Sequence, residues 1–261
     1  MRATELLNNV IPSTTIIIPA YNEEGRIGRV LEEIADFVIV NNLKWDVIVS
    51  IDGSDKTEEI VKRFSEDYAF IKYERGKGRS GKGNAIKRVV KNSTGEFTLT
   101  ADADGAISFE DIFKGYAYCD GYDAILFDRY SNERNEIPLH RRIPSRGFNI
   151  LVRIILGLNV RDTQCGYKLI RTNLVKEAFG KIAVTNTFFD VALLYHIKNM
   201  GGRIKEIDVK YSHNVDSKFN IMSEIIGQGV SLFAFRLRHS KFYKYVPHWA
   251  TELYIRKFRW I

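Results

Sequence analysis

The chain has 261 residues, 45% of them apolar and 27% charged, which is enough for one large folded domain and too apolar for a disordered chain. Two cysteines, Cys119 and Cys165, exclude a disulfide framework and a cysteine-rich zinc site and suit a reducing compartment. The formal net charge of +7 is uneven: residues 234–261 hold seven Lys or Arg against one Glu, so the remainder is close to neutral. No recognised RNA- or DNA-binding motif accompanies that charge, and nucleic acid is not an expected partner.

In chain order, "TTIIIP" is a short β-branched run ending in proline and predicts a buried strand. "EEGRIGRVLEEIADFVIVNN" places Ile27, Val30, Leu31, Ile34 and Val38 at helical spacing. "WDVIVSI", "FIKYE" and "EFTLTA" predict three more strands, separated by helices over "DKTEEIVKRFSED" and "GKGNAIKRVVKNS". Strands alternating with helices imply βαβ units, hence an α/β fold with a mostly parallel, Rossmann-like sheet flanked by helices. Further on, "YDAILFDRY", "GYKLIR" and "RIKEIDVKY" predict strands, and "TFFDVALLYHIKNMG" and "SEIIGQGVSLFAFRLRHS" predict helices. Between them, in "NERNEIPLHRRIPSRGFNILVRIILG", Ile150, Ile154, Ile155 and Leu158 are expected to form one apolar face with Arg146 and Arg153 beside it. Neither repeats nor linkers interrupt the pattern. The division expected is residues 1–233 as the main α/β domain and 234–261 as a basic, aromatic-rich, membrane-facing extension with amphipathic helical character.

In parallel sheets, ligands sit beyond the carboxyl ends of the strands. Three polar clusters fall there: Pro19–Glu23, Asp52–Asp55 and Asp102–Asp104. An Asp-x-Asp at a strand end can direct two carboxylates at one hard divalent cation, with phosphate oxygens completing its shell. On its own it reads equally well as an acidic loop. "GRSGKGNAIKR" puts Gly81, Lys82 and Gly83 where a helix begins, so backbone N–H groups and an ammonium would face an anion there. On its own this too reads as a helix-entry turn.

Taken in sequence, "IPAYNEE", "IDGSDKT", "GRSGKGN" and "DADG" resemble the motif series of the inverting family 2 glycosyltransferases, which have the GT-A fold. "RDTQCGYKLI", "FFDVALL" and "DSKFNIMSEIIGQGVSLFAFRLR" are similar to segments of the dolichyl-phosphate glycosyltransferases, first the β-glucosyltransferases and then the mannosyltransferases. The resemblance runs from Thr14 to Arg238. It implies transfer of a sugar, UDP-glucose being the favoured donor, to dolichyl (polyprenyl) phosphate with inversion. The alternative within the family is a soluble or polysaccharide hydroxyl as acceptor.

Carried over by position, the resemblance implies that Pro19, Tyr21, Glu23 and Asp52 line the nucleotide and that Lys82 reaches the nucleotide-sugar. It implies that Asp102 and Asp104 hold Mg²⁺ or Mn²⁺ with the diphosphate, and that Asp190 lies beside the transferred sugar. Arg129, Arg141, Arg142 and Ser145 fall in the acceptor-phosphate region, and Ser217 and Lys218 match a Ser-Lys pair before the last helix. Arg141, Arg142 and Arg146 also read as a solvated basic face. Cys165 reads as a small buried apolar side chain rather than a nucleophile. Three departures stand out: Ile51 replaces the first Asp of Asp-Asp-Gly-Ser, Ala192 replaces a Glu after Asp190, and the membrane spans that many relatives carry are missing.

The longest apolar stretches, "GFNILVRIILGLNV" and "IIGQGVSLFAF", fall short of the roughly 18–20 residues that cross a bilayer. Phe235, Phe242, Tyr243, Tyr245, Trp249, Tyr254, Phe258 and Trp260 accompany the basic residues of the extension. Basic and aromatic residues together suit an anionic membrane surface. The expectation is a cytoplasmic protein, peripheral on the cytoplasmic face of a membrane, docking directly or through a membrane-anchored partner.

Overall fold

The computed structural model describes residues 11–132, 135, 137–183, 187–212 and 221–247, except for the side chains of 221–226 and 242. Ser217, Lys218 and the aromatic residues beyond 247 lie outside the described residues.

A seven-stranded sheet organises the chain, in the order β3-β2-β1-β4-β6-β5-β7. Its strands are β1 (Thr14–Tyr21), β2 (Trp45–Asp52), β3 (Ile71–Arg75), β4 (Phe97–Thr100), β5 (Ala124–Asp128), β6 (Lys168–Arg171) and β7 (Ile204–Asp208). The helices are α1 (Ile27–Val40), α2 (Thr57–Asp67), α3 (Lys82–Val90), α4 (Phe109–Phe113), α5 (Leu139–Leu156), α6 (Thr172–Lys181), α7 (Phe189–Asn199) and α8 (Ile221–Arg238). β3, β2, β1 and β4 are mutually parallel, as are β5 and β7, whereas β6 runs antiparallel to both β4 and β5. The mostly parallel sheet predicted from the alternation is therefore present, with one reversed strand that the pattern did not announce.

The period-two geometry of a strand sends alternate residues of β1 to opposite faces. Ile16 and Ile18 join the core formed with α1, which buries the five positions expected of it. Ile17 points the other way, into a second core with Ile86 and Val89 of α3 and Val191, Leu194 and Ile197 of α7. The inner strands β1, β2, β4 and β5 are thus buried on both sides and read as nearly continuous apolar runs, whereas the edge strands β3 and β7 are mostly half-buried or exposed and carry charges.

α5 corrects the expectation about its apolar face. Phe148, Val152 and Leu156 make the inward contact, with Ile155 and Leu158 packed or buried on that side. Ile150 and Ile154 face away and are exposed. Both sides of this helix are apolar, so spacing alone could not choose between them. A third acidic residue, Asp111, follows Asp102 and Asp104 within ten positions in "TADADGAISFEDI" but stands apart from them. Asp111 belongs to the first turn of α4, where Ser108 caps its N–H, and it pairs with Lys114 rather than joining Asp102 and Asp104. Among the described residues, no helix is long and apolar enough to cross a membrane.

Candidate active site

The carboxyl ends of β1, β2 and β4 lie side by side, with Tyr21 opposite Asp52 and Ile17 opposite Thr100. Loops from neighbouring strands are stitched together there. Glu23 N–H donates to Thr57 Oγ1 at 2.8 Å, Glu24 N–H to Asp55 Oδ2 at 3.0 Å, and Ser54 N–H to Asn22 Oδ1 at 3.0 Å. Pro19 is half-buried within β1, and Tyr21 is exposed with the Arg79 guanidinium 5.0 Å from its ring centroid. Asp52 is buried and engaged on both oxygens. Ser80 N–H and Oγ donate to Oδ2 at 2.9 and 2.5 Å, and Arg88 donates to Oδ1 at 3.0 Å. Asp52 thereby anchors the loop that leads into α3.

Lys82 opens α3 and forms an ion pair with Asp102, each side chain about a third exposed and so open to a ligand. Burial alone would raise the Asp102 carboxyl, but Lys82, Lys168 and Arg129 outweigh it and hold the pKa below the usual carboxylate range. Asp104 goes the other way: burial, and then the charge of Asp102, push its carboxyl up. Glu23 is also raised, by burial first, although Arg26 pairs with it; Asp104 and Asp102 add to the rise. Asp104 Oδ1 accepts from Ala106 N–H at 3.1 Å, and its carbonyl accepts from Arg29.

Two glycines permit this crowding. A Cβ on Gly166 would stand 1.9 Å from Asp102 Oδ2, and one on Gly83 would stand 2.9 Å from Phe189 Cβ. The first lets the turn before β6 lie against the Asp102 carboxylate, and the second lets the start of α3 lie against the start of α7. Because β6 is reversed, its amino end reaches the same edge as the carboxyl end of β4, pairing Lys168 with Thr100. Tyr167 donates its hydroxyl to Asp102 O at 3.3 Å.

Asp190, in the first turn of α7, is buried and paired with Lys168 at 2.5 Å. Lys168 also donates to Cys165 O. Arg129 follows β5 and forms a two-pronged pair with Asp162, Nε to Oδ2 at 2.7 Å and NH2 to Oδ1 at 3.0 Å. Tyr130 donates to Ser145 Oγ at 2.7 Å, which ties α5 to this corner. Arg141 and Arg142 are half-buried in the first turn of α5, and Arg141 Nε is buried with no hydrogen-bond partner among the described residues.

The fold therefore gathers Glu23, Lys82, Asp102, Asp104, Arg129 and Asp190 into one electrostatic neighbourhood. Lys168, Asp162 and Arg88 went unassigned in the sequence. The available signal was charge within apolar strand or helix runs: a Lys in "GYKLI" and an Arg in "AIKRVV". Among the described residues, no group of three His, Cys, Asp or Glu side chains forms a ready-made metal cage. Two hard carboxylates at a partly open edge do fit a divalent ion that takes its other ligands from phosphate oxygens and water.

Residues 15–179 match the sequence profile described as Glycosyl transferase family 2. The chain belongs to this family. It is 31% identical over 247 residues to a dolichyl-phosphate beta-glucosyltransferase of Trichomonas vaginalis, covering 88% of this chain and 73% of that one. It is 30% identical to the dolichyl-phosphate beta-glucosyltransferase of Homo sapiens, covering 86% and 75%. The sheet and its helices superpose on glucosyl-3-phosphoglycerate synthase from Mycobacterium tuberculosis in complex with UDP, with a TM-score of 0.63 at 16% identity over 87% of this chain and 79% of that one. Mannosyl-3-phosphoglycerate synthase from Rubrobacter xylanophilus gives a TM-score of 0.64 at 15% identity, covering 87% and 74%. The fold is the GT-A glycosyltransferase fold.

Proposed function

We propose that this family 2 transferase moves a sugar from a nucleotide-sugar, UDP-glucose being the favoured donor, to dolichyl (polyprenyl) phosphate with inversion. The observation that carries the reading is the likeness, over most of the chain, to enzymes named dolichyl-phosphate beta-glucosyltransferase. The geometry is compatible with it: a pair of carboxylates, a lysine at a helix start and the Arg129 guanidinium act on one another at one strand edge.

In this reading an oxygen of the acceptor phosphate attacks the anomeric carbon, the bond from that carbon to the diphosphate oxygen breaks, and nucleoside diphosphate leaves with the electron pair. Asp102 and Asp104 would hold Mg²⁺ or Mn²⁺, whose positive charge offsets that developing on the leaving diphosphate. Lys82 and the N–H groups at the start of α3 add positive potential on the same side. Pro19, Tyr21, Glu23 and Asp52 form the nucleotide side, Asp52 acting through the Ser80 loop it anchors. Arg129, Arg141, Arg142 and Ser145 form the acceptor-phosphate side. Asp162 holds two of the donor nitrogens of Arg129, so Arg129 contributes chiefly a fixed charge.

A phosphate monoester is largely anionic near neutral pH, its second pKa being about 6, so it needs little help losing a proton. Asp190, already paired with Lys168, is assigned the orientation of sugar or acceptor. The acceptor's tail keeps the enzyme at a membrane, and the cytoplasmic face is the expected side.

The test is radiolabel transfer by purified protein with Mg²⁺ or Mn²⁺ and dolichyl phosphate in detergent. UDP-glucose, UDP-glucuronate, UDP-N-acetylglucosamine and GDP-mannose would each be offered in turn. Label entering the organic phase from UDP-glucose supports the full reading. Label from another donor changes the sugar alone. Metal-dependent donor hydrolysis with no lipid product from any donor moves the acceptor to a soluble hydroxyl.

A further inference from the structure

Residues 161–168, which lead into β6, meet Asp102 through Gly166, Asp190 through Lys168 and Arg129 through Asp162. The third contact is the most elaborate. The Asp162 side chain is fully buried and takes Nε and NH2 of Arg129 on its two oxygens, at 2.7 and 3.0 Å. Its Oδ2 also accepts from the Arg129 N–H and its Oδ1 from the Gln164 N–H, both at 3.3 Å. Arg161 pairs in turn with the residue before Arg129, its Nε lying 3.2 Å from Asp128 Oδ2. Asp128 and Arg129 at the end of β5 are thus crossed with Arg161 and Asp162. Glu206 of β7 holds the crossing in place, Oε1 accepting from the N–H groups of Arg161 at 2.7 Å and Asp162 at 3.2 Å. Two aromatic rings lie against the guanidinium. Its carbon is 5.5 Å from the ring centroid of Tyr130 and 5.4 Å from that of Tyr211, and Tyr130 is itself tethered to Ser145 of α5.

We propose that Asp162 is a positioning residue for the acceptor: it fixes the orientation of the Arg129 guanidinium, with the Tyr130 and Tyr211 rings as walls, so that the remaining N–H groups of Arg129 meet the acceptor phosphate. The inference deepens the proposed function and rests on its assignment of Arg129 to the acceptor side. A guanidinium carries five N–H donors in a rigid plane, and a carboxylate that takes two of them along one edge sets the direction of the others. An arginine free in the empty site must be ordered at each binding event, whereas one held by a buried carboxylate is ordered beforehand. The guanidinium also acts on the donor side. Against the effect of burial, it joins Lys82 and Lys168 in holding the Asp102 carboxyl low. Burial pushes the Tyr211 hydroxyl up; Arg129 opposes that rise, and Asp104 and Asp102 add to it. Beside Tyr211, the Ser212 N–H donates to Ala106 O at 2.9 Å, which ties this wall to the loop that carries Asp104. Charge and orientation predict opposite outcomes for the loss of Asp162. Removing a negative group beside an anion site tightens acceptor binding if only charge matters, and weakens it if orientation does.

The test is transfer by the full-length protein to a short, water-soluble prenyl phosphate, at a saturating concentration of whichever nucleotide-sugar supports transfer. Asp162→Asn keeps the shape of the side chain and should raise the acceptor KM at least about tenfold, with the donor KM within about twofold of wild type. Tyr211→Leu removes one wall, leaves the buried pair in place and should raise the acceptor KM about threefold. Arg129→Met should raise it as well. Adding Asp162→Asn to Arg129→Met should give no further rise, because Asp162 acts through Arg129. A purely structural role would instead lower the amount of active enzyme and leave both KM values where they were.

An acceptor KM that Asp162→Asn leaves unchanged or lowers would overturn the proposal, as would an equal rise in the donor KM or a further rise on the Arg129→Met background. Should Asp162→Asn not fold, Tyr211→Leu decides, and an unchanged acceptor KM in that variant rejects the role. A wild type that transfers no sugar to the prenyl phosphate from any nucleotide-sugar offered removes the acceptor reading, and this role for Asp162 with it. A wild type that transfers, with an acceptor KM that the variants do not raise, removes the role alone.

Discussion

Lys168 and Asp190 form an enclosed ion pair, Nζ to Oδ1 at 2.5 Å, with only 1% and 9% of their side chains exposed. The ammonium also donates to Cys165 O, so the carboxylate is held by a group that is itself fixed to the turn before β6. The pair adjoins the one between Lys82 and Asp102, which gives a chain of alternating charges from α7 to α3. A carboxylate held in this way is suited to orienting a ligand, and less suited to collecting a proton from it.

Asp190→Asn should therefore lower the transfer rate by about a hundredfold, the scale of a misplaced ligand, while the pH-rate profile keeps its shape. Loss of the acidic limb would instead assign Asp190 as a base. Lys168→Met should destabilise the fold by about 3–5 kcal/mol because it leaves Asp190 buried without its counter-charge. Lys168→Met/Asp190→Asn should recover stability but not activity, and a double-mutant cycle by urea unfolding and by transfer rate separates the two effects.

Burial and the charge of Asp102 push the Asp104 carboxyl up, and the proposed function assigns these two carboxylates a divalent cation. Asp104→Ala should abolish divalent-dependent transfer, a loss of at least about a hundredfold, and weaken Mn²⁺ binding measured by calorimetry in the presence of UDP. Unchanged activity of the variant with chelator present would remove the metal from the reaction.

The contact between Gly166 and Asp102 leaves no room for a methyl group. Gly166→Ala should fold, at a cost of about 1–3 kcal/mol in overpacking, and displace the Asp102 carboxylate from its place beside Lys82. Circular dichroism should stay native while donor affinity, followed by intrinsic fluorescence or calorimetry, falls about tenfold or more. A variant that binds donor like the wild type would show that Asp102 tolerates displacement.

Burial pushes the Cys165 thiol up to about 12, although Arg129 and Lys168 stand close by. At neutral pH it should be almost wholly protonated and unreactive. Iodoacetamide should leave activity intact in the native state and alkylate both cysteines in urea; rapid native-state inactivation traced to Cys165 would contradict this.

Much of the candidate site could be located in the sequence because its proposed parts sit where strands end. Glu23, Asp52, Lys82 and Asp102 follow β-branched runs or open a helix, and a reader of periodicity finds those places without coordinates. Lys168 and Asp162 were harder. They lie within or beside an apolar segment, and nothing local distinguishes a paired buried charge from an exposed one. Arg129 was legible as a cation, but its engagement with Asp162, 33 residues away, was not.

By itself, the sequence determined the alternation of strands and helices, the acidic strand ends and the glycine-led start of α3, because these follow from short-range spacing and backbone preference. Only the tertiary structure decided that β6 runs backwards between β4 and β5, bringing Gly166 against Asp102 and Lys168 to Asp190. It also decided which side of α5 faces water. Strand direction and the choice between two apolar helix faces depend on packing against distant elements, and a period of 2.0 or 3.6 residues carries no information about that partner.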